Sequence, residues 1–506
     1  MKNLAGARGG LITNTGHDQS RERLVQQYVA MPAGAPVRLT KQTSNLFRSR
    51  ERSSGPGLDA SGFDQVLSVD PVSRTADVQA MTTYERLVDA TLAHGLMPLV
   101  VPQLKTITSG GAVTGLGIES SSFRNGLPHE SVREMEILTG AGEVVEAGPV
   151  GRHRDLFHAF PNSYGTLGYA LRLVIDLEPV HPFVRLRHVR FTSLEALTDT
   201  VAEIVAAQAF EGEPVDFLDG TLFGADDAYL TLGSWSDTAP YTSDYTGGQI
   251  YYQSIRTRET DYLTVRDYLW RWDTDWFWCS RAFGAQNRLV RAAWPKRWLR
   301  SDVYSKLVRW ESRHAVVARL DHWRGKPARE RVVQDVEIPL GRTADFLRWF
   351  LREVPITPVW LCPLRLRGAG AAAEMTAATE MTAATEMTAA TQISGGTSAA
   401  GVSAMTDLGD GGPWPLYPLR PDETYVNVGF WSTVPIRPES RDGDVNRRIE
   451  SAVADHDGHK SLYSDAYYPP GEFWALYGGT TYADVKARYD PGARLLDLYA
   501  KAVGKR

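Results

Sequence analysis

Residues 108–126 read T-S-G-G-A-V-T-G-L-G-I-E-S-S-S-F-R-N-G, with five glycines in nineteen positions. Glycine adopts positive φ without steric cost and lets a backbone approach a bound group closely. Successive peptide N–H groups in such a bend form a concave nest for anions such as a pyrophosphate. So dense a run of glycine and hydroxyl residues predicts a ligand-wrapping loop rather than a packed element. Glycine content alone has low specificity, and the flanking pattern decides its meaning.

That pattern sets the fold class. Residues 66–69 and 76–79 alternate in part and are separated by Asp70-Pro71, which predicts a hairpin. Thr82 and Glu85 have capping-box spacing, and Tyr84, Leu87, Val88, Thr91 and Leu92 recur at helical spacing until Gly95, which predicts a helix with one buried face. Residues 96–101 read as a buried strand aimed at the glycines. Beyond them, residues 132–138, a Gly140-Ala141-Gly142 turn, residues 143–146, a short helix near 155–160 and a long strand over 169–177 complete an α+β domain. The glycines are expected to open no helix, which excludes the strand, G-x-G-x-x-G, helix unit of a dinucleotide fold.

Four segments of this chain carry a resemblance to a known group. G-L-G-I-E-S-S-S at 115–122, G-T-L-G at 165–168, V-W-L-C-P-L at 359–364 and L-Y-S-D-A-Y-Y-P-P-G-E-F-W at 462–474 occur in that order. Together they resemble FAD-binding proteins of the vanillyl-alcohol oxidase and p-cresol methylhydroxylase type, and within that group the sterol side-chain (delta-24) reductases. The resemblance implies an α+β architecture: a two-subdomain FAD-binding fold plus an α+β substrate-covering domain. It divides the chain into a lead-in (1–35), an FAD-binding domain (36–182), a covering domain (183–367), a low-complexity insertion (368–406) and a C-terminal part of the covering domain (407–506). It implies that Thr108, Ser109, Gly110, Gly111, Gly115, Gly117, Ser120, Ser121 and Gly126 hold the flavin pyrophosphate, and that Gly165, Thr166 and Gly168 close over the flavin. Lys41, Gln42 and Thr43 occupy the place of the family's first phosphate loop. Many relatives carry R-G-x-G-H-S there, with a flavin-linking histidine, and this chain has no histidine in that stretch. FAD is therefore expected to be non-covalent. His129 reads as an ordinary polar loop residue.

Composition bounds the remaining classes. A chain of 506 residues, 43% hydrophobic, can bury large cores in two or three domains. A net charge of −5 leaves no nucleic-acid footprint. Two cysteines, Cys279 and Cys362, make neither a disulfide framework nor a zinc site, so no metal is expected and a reducing cytoplasm is the default. No signal pattern and no run of 18 apolar residues occurs, which predicts a protein that is soluble or peripheral on the inner face of the cell membrane. E-M-T-A-A-T repeats three times from Glu374, Glu380 and Glu386, a period of no helix stripe, and reads as a mobile insertion without chemistry.

The covering domain is expected to line a greasy substrate. Six of the fourteen tryptophans fall between Trp270 and Trp298, and apolar pockets are lined by aromatics with a few placed polar groups. Tyr262, Arg266 and Tyr268 resemble a polar cluster of the sterol reductases. Residues 288–300 interleave Trp294 and Trp298 with five basic residues, a composition that suits a solvated surface or a membrane interface. What the resemblance implies chemically is reduction of an isolated alkene, where no carbonyl stabilises developing charge and a positioned acid must protonate one carbon in a dry pocket. Tyr467 is the first candidate for that acid, with Asp465 as polariser or acid and Tyr463 as a lesser candidate; Arg266 joins the catalytic set. NADPH is the implied electron donor. The substrate reading is a 10-methylene fatty acyl chain of a phospholipid, reduced to the 10-methyl branch and pairing this enzyme with a lipid methyltransferase. A sterol delta-24 reductase, an FAD-dependent alcohol or sugar oxidase, and a flavin-free lipid-binding protein are the alternatives.

Overall fold

The computed structural model describes residues 14–40, 48, 57–246, 249–274, 286–304, 306, 319, 323–367 and 414–504. Lys41, Gln42, Thr43, Cys279 and the repeats lie outside them. Two short strands, β1 (Leu39–Thr40) and β2 (Leu58–Asp59), pair in parallel ahead of the first large sheet. That sheet contains β3 (Val66–Asp70), β4 (Thr75–Gln79), β5 (Leu96–Pro98), β6 (Val132–Leu138), β7 (Val144–Ala147) and β8 (Tyr169–Pro179). Its order is β3-β4-β8-β6-β7, with β5 pairing the far end of β8, and every pairing is antiparallel. β8 is the spine. Leu171, Leu173, Ile175 and Leu177 alternate along it and are all buried, the period-two pattern of a strand with one core face.

The hairpin β3–β4 forms as the sequence predicts, as does the helix Tyr84–Leu92. Its cap differs. Thr83, not Thr82, is the N-cap and accepts from the Arg86 amide, while the Thr82 hydroxyl donates to the Gln65 carbonyl at 2.9 Å. β5 stops at Pro98, because a proline brings no amide to the ladder.

The glycine segment departs most from expectation. Ser109–Gly115 is a helix, with Thr108 as its N-cap accepting from the Gly111 amide at 3.2 Å. The glycines serve close packing. A Cβ on Gly110 would sit 2.7 Å from the Ala80 Cβ and 3.0 Å from its carbonyl oxygen. Tertiary contact thus overrides the poor helix propensity of glycine.

The second sheet runs β14-β9-β13-β12-β16-β17-β15-β18. Its members are β9 (Phe183–Phe191), β12 (Phe217–Gly224), β13 (Asp227–Ser236), β14 (Thr260–Thr264), β15 (Arg329–Pro339), β16 (Val359–Arg365), β17 (Thr424–Pro435) and β18 (His459–Lys460). A small hairpin of β10 (Ala209–Phe210) and β11 (Glu213–Pro214) stands beside it. β17, from the C-terminal part of the chain, fills the place between β16 and β15. One face packs Val336, Leu361, Val428 and Leu218 against the helices Leu194–Ala207, Leu340–Glu353 and Asp444–Asp455. The opposite face presents Asp335, Glu337, Asn427, Trp360 and Asp219, because alternate strand residues point to opposite sides. Trp360, Cys362, Tyr425 and Phe217 on that face join the core of the first sheet. The two sheets therefore meet across a layer that is partly polar.

Candidate functional site

The chain leaves the glycine helix through Leu116 at φ +63°, and the amides of Leu116, Gly117 and Ile118 meet no acceptor among the described residues. Of the amides expected to form the nest, the first group is engaged: Ser109 donates to the Thr82 carbonyl and Gly110 to the Ala80 carbonyl, each at 2.9 Å, and Gly111 donates to the Thr108 hydroxyl. The open donors, Leu116, Gly117 and Ile118, fall in the second expected group and one residue past it. Gly117 is hemmed in there, since a Cβ would lie 3.1 Å from Pro128 and 3.3 Å from Pro102. Two expected hydroxyl donors are taken as well. Ser121 Oγ donates to the Leu99 carbonyl at 2.8 Å, and Ser120 Oγ pairs with the Tyr268 hydroxyl at 2.8 Å. Gly126, at φ +69°, ends the short helix Ser122–Asn125 and serves the turn.

A second strained segment closes on this bend. Asn162, Tyr164, Gly165 and Gly168 all have positive φ, a concentration that costs free energy and gathers at functional sites. The Tyr164 amide donates to the Thr114 carbonyl at 2.9 Å and its hydroxyl to the Gly115 carbonyl at 3.0 Å, so the loop is locked to the helix end. Thr166 spends its hydroxyl on the Ser163 carbonyl. The buried Ser163 hydroxyl has no partner among the described residues. An amide-lined bend, a glycine hemmed between prolines and an orphaned hydroxyl on the facing loop fit a ligand that carries phosphate.

Beyond Tyr164 stands the polar face of the second sheet. Asp335 is opposite Gly429, and Gly429 opposite Trp360, across β15, β17 and β16. Tyr463 and Asn427 lie within hydrogen-bonding reach of the Asp335 carboxyl, whose Oδ1 atom closes no well-formed hydrogen bond among the described residues. Burial pushes that carboxyl up to about 7. Glu337, fully buried two residues on, is raised well above the ordinary range by burial and by Asp335 beside it. Ser461 donates to Glu337 Oε1 at 3.0 Å, the Tyr417 hydroxyl stands beside the same carboxyl, and Oε2 closes no well-formed hydrogen bond among the described residues. Burial and the same Asp335 raise the Tyr463 phenol far above its ordinary value. Sequence reasoning missed Asp335 and Glu337. The signal was available in V-V-Q-D-V-E-I-P, where two acids interrupt an otherwise apolar strand at i and i+2.

A third cluster ties the covering domain to the bend. Arg271 pairs with Asp219 at 2.9 Å with both side chains 2% exposed, stacks 4.0 Å over the Tyr268 ring, and donates to the Tyr251 hydroxyl at 3.2 Å. Trp272 and Trp360 donate to the same Asp219 oxygen at 3.2 and 3.4 Å. A cavity of about 10 Å³, room for one water, lies between Glu119, Ser121, Phe217 and Arg271. Burial raises Glu119 well above the ordinary range, opposed by Arg271.

The remaining predicted residues lie elsewhere. Arg266 is half exposed and pairs with Asp89 at 2.9 Å on the surface, because its helix turns Tyr268, not Arg266, toward the core. Asp465 pairs with Arg331 at 3.2 Å. Tyr467 packs on Gly443 with the Arg447 guanidinium 5.1 Å over its ring, and its amide donates to Glu450. Of the three C-terminal candidates, Tyr463 is the one beside the part-buried Asp335 and the buried Glu337. His129 is fully buried, edge-on to Trp414 at 4.4 Å, and burial depresses it to about 3, so it is a core residue and not a polar loop histidine. Cys362 is a buried free thiol. Among the described residues, no cluster of metal-ligating side chains occurs and no helix is long and apolar enough to cross a membrane.

Comparison with known proteins agrees with the geometry. The model of an FAD binding domain matches residues 22–148. A Delta(24)-sterol reductase of Arabidopsis thaliana is 24% identical over 468 residues, covering 88% of this chain and 76% of that protein. The Homo sapiens Delta(24)-sterol reductase is 24% identical over 453 residues, 86% and 75% of the two chains. A decaprenylphosphoryl-beta-D-ribose oxidase of Mycolicibacterium smegmatis is 34% identical over 130 residues, only 26% of this chain and 28% of the other. Residues 22–148 therefore carry an FAD-binding domain, and over most of its length the chain is similar to the Delta(24)-sterol reductases.

Proposed function

We propose that this protein reduces an isolated carbon–carbon double bond in a lipid, with NADPH as electron donor and a 10-methylene acyl chain of phospholipid as substrate. The observation that carries the reading is the layer between the sheets. A bend with three open amides faces, across Tyr164, a wall where the neutral acids Asp335 and Tyr463 adjoin apolar Trp360. An isolated alkene needs this combination of a dry, apolar surface and a proton source.

In this reading the FAD domain is the two-subdomain fold of the p-cresol methylhydroxylase type. The amides of Leu116, Gly117 and Ile118 would hold the diphosphate, Gly165 and Gly168 would give the facing loop the room a flavin needs, and Lys41, Gln42 and Thr43, which lie outside the described residues, would add phosphate contacts. Bound FAD, reduced by NADPH, would supply the hydride. The chain's own part is to orient the lipid, exclude water and deliver a proton to the alkene from the wall that holds Tyr463. A protein of this kind works at the inner face of the cell membrane, on lipid that a methyltransferase has converted to the methylene form.

The Arabidopsis relative's name makes a delta-24 sterol the second substrate reading, since the similarity runs through both domains and not the FAD domain alone. One experiment tests both. Purified protein is mixed anaerobically with NADPH, which bleaches the flavin, and then with methylene-acyl phospholipid or delta-24 sterol. Reoxidation of the flavin together with a product heavier by two hydrogens identifies the substrate. Failure of NADPH to bleach the flavin, with reduction by an alcohol or sugar instead, would replace the reading with an oxidase.

A further inference from the structure

We propose that Asp335 is the general acid of the double-bond reduction, delivering its proton from Oδ1 to the less substituted alkene carbon while Tyr463 positions the carboxyl. This assignment rests on the reductase reading above. It gives the central chemical role to a residue outside the C-terminal tyrosine segment.

The geometry begins with Gly429. A Cβ at that position would lie 2.5 Å from Asp335 Oδ1 and 3.3 Å from Trp360 Cε3. Only a glycine in this register leaves Oδ1 room over the strand, beside the indole. Tyr463 and the Asn427 amide both approach the carboxyl within hydrogen-bonding reach, and Oδ1 itself closes no well-formed hydrogen bond among the described residues. An oxygen held this loosely, in the neutral carboxyl, can turn its proton toward a substrate.

The surroundings keep it neutral. The groups that face it are Glu337 on its own strand, Asn427 on β17, Tyr463, Tyr164 on the strained loop, and more distantly Glu119. Nearby cations are bound to other partners: Arg331 to Asp465 at 3.2 Å, Lys460 to Glu450 at 2.6 Å, and Arg48 stacked 4.4 Å over Tyr164. Burial accordingly holds the acid up at about 7. It is then a much stronger acid than the phenol of Tyr463, whose own value burial and Asp335 drive upward. Glu337, buried between Ser461 and Tyr417, is a second carboxyl on the same face.

The step balances. The Asp335 O–H bond breaks as a C–H bond forms at the less substituted carbon, and the hydride supplied by the reduced cofactor completes the second C–H bond. The cofactor is left oxidised, and the Asp335 carboxylate regains a proton from solvent before the next turnover.

The test separates half-reactions in Asp335→Asn, a substitution of nearly equal shape. FAD content and the rate of bleaching by NADPH should stay close to wild type. Reoxidation by the alkene lipid should fall by about 10²- to 10⁴-fold, the usual weight of a positioned acid. In the wild type, reoxidation should slow as pH rises through about 7, and the variant should lose that inflection. Tyr463→Phe should keep an inflection but move it upward, because the phenol's hydrogen bond favours the carboxylate. Infrared difference spectra of the cofactor-free protein across the same pH range should show a neutral carboxyl band that Asp335→Asn lacks. Near-wild-type reoxidation in Asp335→Asn, or a wild type without that titrating band, would overturn the assignment. A wild type that no alkene lipid reoxidises would overturn the reductase reading itself, a separate and distinguishable outcome.

Discussion

Replacing Asp219 with alanine removes one carboxylate that three donors share, and the structure sets the size of the effect. Arg271, Trp272 and Trp360 all donate to Asp219 Oδ2, at 2.9, 3.2 and 3.4 Å. Both members of the ion pair are 2% exposed, and the neighbouring cavity has room for one water at most, so bulk water cannot take the place of the lost charge. Breaking a buried pair from one side costs about 3–5 kcal/mol, because the remaining charge stays buried without compensation. Each orphaned indole N–H adds up to about 1–3 kcal/mol where it finds no substitute. Arg271 keeps its bonds to the Tyr251 hydroxyl and the Tyr268 carbonyl, which draws the expected total toward about 4 kcal/mol. Against a typical stability of about 5–15 kcal/mol, that is a large fraction. Urea unfolding followed by tryptophan fluorescence should show the loss directly. Adding Arg271→Met to Asp219→Leu should recover most of it, since an apolar pair leaves no buried charge. A loss below about 1 kcal/mol, or single effects that simply add in the double variant, would refute the claim that this pair is electrostatically isolated from solvent.

Three further outcomes follow from other positions. Gly110→Ala forces a methyl to within 2.7 Å of the Ala80 Cβ and 3.0 Å of the carbonyl that accepts from its own amide; melting of the apoprotein should show a loss of about 1–3 kcal/mol together with reduced FAD content. Gly341→Ala, on an exposed helical position with nothing within 4 Å, should be neutral or slightly stabilising. Glu130 is raised by burial from 4.5 to about 7, so between those pH values the unfolded chain releases a proton that the fold retains. Stability should therefore fall as pH rises across that window, by on the order of 3 kcal/mol in total, and Glu130→Gln should flatten the slope; parallel curves for the two proteins would refute it.

The sequence made the first sheet legible because its strands obey local rules. Alternation in β3, β4 and β8 and the apolar stripe of Tyr84–Leu92 are periodic within a single element, and each formed near its expected bounds. The glycine segment misled where local rules conflict with packing. Glycine disfavours a helix in isolation, but at Gly110 a close approach to Ala80 outweighs that preference. The open amides consequently lie past the helix, at Leu116, Gly117 and Ile118, of which only Gly117 carries the glycine signature that the sequence offers.

The proton-donor candidates show the same limit. Tyr463, Asp465 and Tyr467 are close in sequence, yet only Tyr463 reaches Asp335, because neighbouring residues of an irregular segment point to different surroundings. Arg266 and Tyr268 separate for a related reason, lying two apart on one short helix.

Periodicity by itself determined an α+β chain, and the resemblance of four motif segments pointed to an FAD-binding domain around the glycine segment. Only the tertiary structure decided which amides are open, which tyrosine meets a carboxyl, and that β15 brings two acids to the inner face. The physical reason is range. Backbone preference and apolar periodicity act over a few residues and are written in the chain, whereas hydrogen-bond satisfaction and the neutrality of a buried acid depend on groups that folding brings from far along it.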